Sequence, residues 1–92
     1  MQYNIVKITD LKGNDKTDLK ATGRLGRIVE LDADDIKIGK SCFLECVIPG
    51  VHKSLITSNV LECIEAEDGL IIKTENSYYY LVDVDNMEFT AI

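Results

Sequence analysis

Residues 70–82 have the sequence Leu-Ile-Ile-Lys-Thr-Glu-Asn-Ser-Tyr-Tyr-Tyr-Leu-Val, in which two runs rich in β-branched and aromatic residues flank a short polar segment. Runs of this kind favour β-strands, and the polar segment favours a tight antiparallel hairpin. A two-residue loop, at either Glu75-Asn76 or Asn76-Ser77, places even-numbered residues of the first strand on the same face as odd-numbered residues of the second. A three-residue loop would reverse the faces. The two-residue loop predicts a core face, and its members are Leu70, Ile72, Thr74, Tyr79 and Leu81.

The opposite face of this hairpin mixes apolar, aromatic and charged side chains. Surfaces of this composition are typical of regions that bind partners. The residues of this face are Ile71, Lys73, Glu75, Tyr78, Tyr80, Val82 and Val84.

The rest of the chain repeats short strand patterns that are separated by turn residues such as Gly13-Asn14-Asp15. The acidic segment 32–35 is expected to form one helical turn, because Gly39 stops any longer helix. The pattern predicts strands at residues 3–9, 26–31, 41–48, 58–65, 70–75 and 78–82.

These elements predict an all-β fold. It is either a small, partly open, antiparallel barrel of five to six strands, SH3-like or OB-like, or a meander sheet. At 92 residues, the chain 1–92 is expected to form a single β domain. Residues 85–92 include Met87, Phe89 and Ile92, and we expect this segment to form an edge strand or a docking tail.

Composition and charge exclude several classes of function. A chain this short leaves little volume for a deep, water-excluding catalytic pocket. Its formal charge of −6 disfavours general nucleic-acid binding, since phosphate backbones are repelled. The N-terminus has no basic region followed by an apolar run, and no apolar stretch approaches the length of a membrane span, so we expect a cytoplasmic protein without membrane association. Three cysteines and no export signal predict reduced thiols.

The segment Gly23-Arg24-Leu25-Gly26-Arg27 contains two glycine-arginine steps three residues apart. Glycine allows close approach of the backbone, and guanidinium groups offer paired donors that match phosphate oxygens. The segment therefore indicates a phosphate site formed by Arg24 and Arg27. The alternative is a turn that enters a strand and leaves both arginines in solvent, since the spacing matches neither a Walker motif nor a dinucleotide fingerprint.

Thr57 and Ser58 precede the predicted fourth strand, where their hydroxyls either contact a ligand or satisfy backbone groups at the strand entrance. His52 is the single histidine, and a hydrolase built on it would need a thiol or carboxylate beside it. The acidic cluster from Asp32 fails as a calcium loop, because Lys37 and Phe43 stand where that loop needs glycine and glutamate. We therefore predict no catalytic residue, no metal and no cofactor.

The last third of the chain contains a pattern of hydroxyl, amide and aromatic residues, with residues 26–29 as a weaker match upstream. The positions of the pattern are Thr57, Ser58, Val60, Ile64, Thr74, Asn76, Ser77, Tyr78 or Tyr80, and Leu81. This pattern resembles that of short uncharacterised proteins from Gram-positive bacteria and their phages. The group has no settled activity, so the resemblance implies a mobile-element setting and transfers no functional residues.

The function predicted from these features is non-enzymatic binding by a homo-oligomer, in the manner of a phage counter-defence factor. Its partner is a small signalling nucleotide or a host protein. In the nucleotide version, Arg24 and Arg27 bind phosphates while Tyr78 or Tyr80 stacks on a base. Two alternatives are an acidic DNA mimic or protein-docking module and, from a different class, a small hydrolase that uses His52.

Overall fold

A computed structural model describes residues 1–47 and 54–84 of the chain. Within these ranges the chain forms mainly strands, with one short α-helix and one 3-10 turn. The elements in chain order are β1 (Gln2–Thr9), α1 (Leu19–Arg24), β2 (Ile28–Glu30), the 3-10 turn (Ala33–Asp35), β3 (Ser41–Cys46), β4 (Ser54–Ala66), β5 (Gly69–Thr74) and β6 (Tyr78–Asp83).

Each strand pairs in antiparallel fashion with the strand that follows it, and β1 pairs with β6 to close the sheet into a barrel. The prediction of a small, antiparallel all-β barrel is therefore confirmed, but the barrel is closed and not partly open, because β1 pairs with β6. Closure depends on the register of β1 against β6, in which Ile5 lies opposite Leu81 and Thr9 lies opposite Tyr78. The seam between β2 and β3 is much shorter, with two paired positions at Val29 and Glu30.

The hairpin of β5 and β6 has the predicted two-residue loop, at Glu75-Asn76. Thr74 donates its backbone N–H to the carbonyl of Ser77 at 2.8 Å, and the register continues through Lys73 opposite Tyr78. Neither loop residue takes a positive φ. The Thr74 hydroxyl holds the turn instead, because it accepts the backbone N–H groups of Asn76 at 3.3 Å and Ser77 at 3.1 Å.

The faces of this hairpin are also confirmed. All five predicted core residues are buried, and the opposite face is half-buried or exposed. The barrel interior combines these residues with apolar side chains from every strand and from α1. Its other members are Tyr3, Ile5, Ile8, Ala21, Val29, Leu31, Cys42, Leu44 and Val60.

The helix α1 was not predicted, since no helix or strand was assigned between the strands predicted at 3–9 and 26–31. The side chain of Asp18 caps it by accepting the backbone N–H of Ala21 at 3.3 Å, and Ala21 packs into the core. Arg24 therefore ends a helix and does not lie in a turn that enters a strand. The chain changes direction after it, because Leu25 is extended and Gly26 takes a φ of 81°.

Strand β4 begins at Ser54, four residues before the predicted start, so Thr57 and Ser58 lie within the strand. The predicted helical turn in the acidic segment is confirmed as the 3-10 turn, which Asp32 caps. Predictions that concern residues 48–53, with His52 among them, and the tail 85–92 lie outside the described residues. In the parts of the chain that are described, no helix has the length and apolarity to cross a bilayer.

The two ends of the barrel are formed by different hairpins. Strand β5 runs from the β4–β5 hairpin at one end to the β5–β6 hairpin at the other. Helix α1 lies at the second of these ends, because it follows Thr9, which pairs with Tyr78 at the start of β6. The helix and the β5–β6 hairpin therefore share one end of the barrel, which we call the helical end.

Candidate functional site

A pocket of about 110 Å³ opens at the helical end, between α1, β4 and the β5–β6 hairpin. We call it the Arg24 pocket. Its charged lining consists of Lys16, Lys20 and Arg24, against the single carboxylate of Asp18. That carboxylate already accepts a hydrogen bond from the backbone N–H of Ala21. The pocket is thus a basic site on an acidic protein.

Local structure brings the three cations together. Lys20 and Arg24 are four residues apart on α1, a spacing that puts two side chains on one face of a helix. Lys16 is held at the same end of the barrel because its backbone N–H donates to the carbonyl of Ile8 at 3.0 Å. Ile8 belongs to the pocket lining as well.

Two contacts from the barrel fix the guanidinium of Arg24. Its Nη1 donates to the hydroxyl oxygen of Tyr79 at 2.7 Å, and its Nη2 donates to the carbonyl of Ile56 at 3.4 Å. Tyr79 is 6% exposed, so the hydroxyl that accepts from Arg24 belongs to a buried core residue. A guanidinium has five N–H donors, and those not used by these two bonds can serve a ligand.

Neutral donors complete the lining. The Tyr79 hydroxyl accepts from Arg24, and its own proton is donated to no described residue. Ser77 is 4% exposed, lines the pocket and makes no side-chain hydrogen bond within the described parts of the chain. Ser58 and Asn76 add a hydroxyl and an amide. Cations and hydrogen-bond donors with spare capacity are the groups that bind oxyanions.

Two other cavities have the opposite charge. One, of about 420 Å³, is lined by the carboxylates of Glu30, Asp32, Asp35 and Glu45, and no described lysine or arginine lines it. Another, of about 250 Å³, lies beside the β4–β5 hairpin, at the barrel end opposite the Arg24 pocket. Its lining includes Met1 and five acidic residues, which are Asp32, Glu65, Glu67, Asp68 and Asp83. The linings of these two cavities are therefore acidic, in contrast to the basic lining of the Arg24 pocket.

Arg24 and Arg27 do not share a site. The Nε of Arg27 donates to the carbonyl of Gly23 at 2.7 Å, and its Nη1 contacts the Sγ of Cys46 at 3.7 Å. Arg27 is absent from the lining of the Arg24 pocket. The turn at Gly26 separates the two side chains, so the sequence spacing that suggested a shared phosphate is not preserved in space.

Ser58 lies in the Arg24 pocket, but its neighbour Thr57 has a structural contact. The buried Thr57 hydroxyl accepts the backbone N–H of Cys42 at 3.0 Å and donates to the carbonyl of Ser58 at 2.8 Å. Cys42 sits where the register of β3 against β4 shifts between Ser41 and Phe43. Thr57 therefore satisfies a backbone group that the irregular ladder leaves unpaired.

Tyr78 and Tyr80 lie on the outer face of the sheet, whereas Tyr79 points inward to the Arg24 pocket. Each outer ring has a lysine ammonium over it: Lys73 is 5.7 Å from the centroid of Tyr78, and Lys7 is 5.7 Å from that of Tyr80. These are cation–π distances. Arg24 and Ser58 thus line the Arg24 pocket, whereas Tyr78 and Tyr80 lie outside it.

The cysteine thiols lie apart from the Arg24 pocket. Burial raises the pKa of Cys42 to about 11, and burial also raises the pKa of Cys63. Both thiols are therefore held in their neutral form at physiological pH. The described residues contain no group of three or more His, Cys, Asp or Glu side chains that could hold a metal ion.

Comparison with family models, curated proteins and solved structures gives no match for this chain. The resemblance of the C-terminal third to bacterial and phage proteins therefore stays a prediction.

Several residues of the pocket were not predicted as site residues. Lys20 could have been found from its i, i+4 spacing to Arg24, had the helix been recognised. Asn76 and Ser77 were interpreted as turn residues, and Tyr79 as a core residue. Tyr79 is a core residue, but its hydroxyl also reaches the pocket. No sequence signal connects Lys16 to this end of the barrel.

Proposed function

We propose that this protein is a non-enzymatic binding protein of the cytoplasm that holds a small anionic ligand, the phosphate of a nucleotide, in the Arg24 pocket. The observation that carries this proposal is the convergence of Lys16, Lys20 and Arg24 in one pocket of a chain whose formal charge is −6. Cations gathered against the overall charge attract an anion to this one place.

The tethering of Arg24 supports binding with defined geometry. A guanidinium held by a tyrosine hydroxyl and a backbone carbonyl loses less side-chain freedom when a ligand binds. Paired guanidinium donors match two oxygens of a phosphate. The neutral hydroxyls of Tyr79 and Ser77 add directional donors, which favour an oxyanion over a halide.

The composition of the pocket supports binding over catalysis. Its carboxylate, that of Asp18, accepts a helix-capping hydrogen bond, and its described lining contains no imidazole or thiol. General acid–base catalysis is most often carried out by histidine, and a serine nucleophile is activated by an adjacent base. A protein that sequesters a nucleotide signal agrees with the mobile-element setting that the resemblance implies.

The two arginines of the glycine-arginine segment supply the matched experiment. Arg24→Gln removes the charge from the pocket, whereas Arg27→Gln removes an equal charge three residues away, from a side chain outside the lining. We expect calorimetric titration with adenosine 5′-monophosphate to show binding to the wild type. The affinity should fall about tenfold or more in Arg24→Gln and by less than about threefold in Arg27→Gln.

Circular dichroism of both variants controls for folding. Equal losses of affinity in the two variants would show that only the net charge of the protein affects binding, and would contradict the assignment of the site. An absence of heat with the wild type, for this nucleotide and for inorganic phosphate, would contradict the proposed function.

A further inference from the structure

We infer that the Arg24 pocket selects a terminal phosphate monoester over a phosphodiester or a carboxylate. This inference rests on the proposed function and specifies the chemical class of its ligand. A monoester phosphate ends its carrier molecule, presents three terminal oxygens and carries about −1.5 to −2 at neutral pH. A phosphodiester and a carboxylate each carry a single charge.

The charge of the lining matches the doubly charged group. Lys16, Lys20 and Arg24 stand against Asp18, which leaves an excess of two positive charges around the pocket. A singly charged ligand would leave one of those charges uncompensated, whereas a dianion neutralises both. Because the pocket is lined in part by the buried Tyr79 and Ser77, these interactions are screened less than on an open surface.

The size of the pocket favours a group that enters end-on. Its volume is about 110 Å³, below the roughly 300–1,000 Å³ of sites that enclose whole small-molecule ligands. A monoester is attached to its carrier through one oxygen, so the phosphate enters and the carrier stays outside. A phosphodiester is attached on two sides, and both arms would have to leave through the same opening.

The donors that line the pocket come from several elements of the fold. The guanidinium of Arg24 approaches from α1, the hydroxyls of Ser77 and Tyr79 come from the β5–β6 hairpin and its second strand, and the Ser58 hydroxyl comes from β4. These groups belong to separate elements of the fold that meet at the pocket. A diester presents only two unesterified oxygens, so part of this donor set would be left unpaired, at a cost in affinity.

Protonation of the ligand gives a further test of charge. The second ionisation of a phosphate monoester has a pKa of about 6, so the dianion is lost as the pH falls through that value. Sulfate has the same tetrahedral shape and stays dianionic. Sulfate therefore reports any change in the pocket's own charged groups, which are Lys16, Asp18, Lys20 and Arg24 with the Tyr79 hydroxyl beside them.

The experiment compares matched ligands by calorimetry on the full chain. We expect adenosine 5′-monophosphate and ribose 5-phosphate to bind within about threefold of each other, and about tenfold or more tighter than 3′,5′-cyclic adenosine monophosphate. The monophosphate affinity should rise several-fold from about pH 5.5 to about pH 7.5, and that of sulfate should not. Equal or tighter binding of the cyclic nucleotide, or a monophosphate affinity with the same pH profile as sulfate, would overturn the inference while leaving the anion site in place. If none of these anions binds, the proposed function fails with it.

A variant with a changed pocket charge distinguishes selection of the monoester from general attraction of anions. Lys20→Gln lowers the excess charge of the pocket to one, so it should reduce the preference for the monoester over the cyclic diester about threefold or more. Lys37→Gln removes an exposed lysine that does not line the pocket and should leave the preference unchanged. An unchanged preference in Lys20→Gln would overturn the charge-matching argument.

Discussion

Replacing Tyr79 with phenylalanine tests the bond that connects the core to the Arg24 pocket. The change removes one oxygen, which accepts Nη1 of Arg24 at 2.7 Å, and keeps the buried ring. Tyr80→Phe is the matched control. Its ring lies on the outer face beside Lys7, and its hydroxyl makes no hydrogen bond within the described parts of the chain.

The expected loss of stability follows from the type of bond. A hydrogen bond with a charged partner contributes roughly 1.5–3 kcal/mol to the free energy of unfolding. Arg24 is only half-buried, so water replaces part of that bond in the variant, and we expect a loss of about 1–1.5 kcal/mol. In a domain of this size, about 1 kcal/mol corresponds to a decrease in Tm of roughly 4–8 °C. Tyr80→Phe should change the free energy of unfolding by less than about 0.5 kcal/mol.

Urea denaturation followed by far-UV circular dichroism measures this difference, since the chain has no tryptophan to report it. The slope against urea should be the same for all three proteins, so that the midpoint alone reports stability. Tyr79→Phe should also bind phosphate more weakly, because Arg24 loses one of its two fixed contacts. The role of the hydroxyl is refuted if Tyr79→Phe equals the wild type in both stability and phosphate binding. It is also refuted if Tyr80→Phe loses as much stability or affinity as Tyr79→Phe.

Three further predictions concern the fold. Ile72→Ala should lower the free energy of unfolding by about 2–5 kcal/mol, whereas Ile71→Ala, one residue away on the outer face, should cost less than about 1 kcal/mol; urea denaturation compares them. Gly69→Ala should prevent correct pairing of β5 with β6, because a Cβ at this position overlaps the backbone carbonyl of Leu81. Gly23→Ala in α1 should raise Tm slightly, because a Cβ there contacts no other atom and alanine favours a helix more than glycine does. Cys42 should lose protons at lower pH in the unfolded chain, with its pKa near 9.0, than in the folded chain, with its pKa at about 11. The contribution of Cys42 to stability is therefore complete below about pH 9 and is lost as the pH rises toward 11. Urea midpoints measured against pH should show this loss in the wild type and less of it in Cys42→Ala. An equal decrease of the midpoint with pH in the two proteins would contradict the prediction.

The barrel could be predicted because its information is local. Alternation in β5 and β6 has a period of two residues, and a two-residue loop fixes how their faces match. The start of β4 was missed for a local reason as well. Ser54, Thr57 and Ser58 carry polar side chains typical of turns, and the sequence does not show the register shift in β3 that lets the buried hydroxyl of Thr57 accept the backbone N–H of Cys42.

The candidate site could be predicted only in part, because it is assembled from distant segments. The bond between Arg24 and Tyr79 joins residues separated by 55 positions. Helix α1, at six residues, is too short to show the helical period of hydrophobic residues. The glycine-arginine spacing drew attention to Arg24 but also to Arg27, and the positive φ of Gly26 turns the two side chains to different partners.

The Arg24 pocket differs in charge from the other two cavities, since its lining is basic and theirs are acidic. An anion that approaches an acidic cavity is repelled, whereas an anion that approaches the Arg24 pocket is attracted. The field of the pocket should therefore raise the rate at which anions arrive there, and this guidance weakens as salt shortens the range of the field to about 10 Å at 0.1 M.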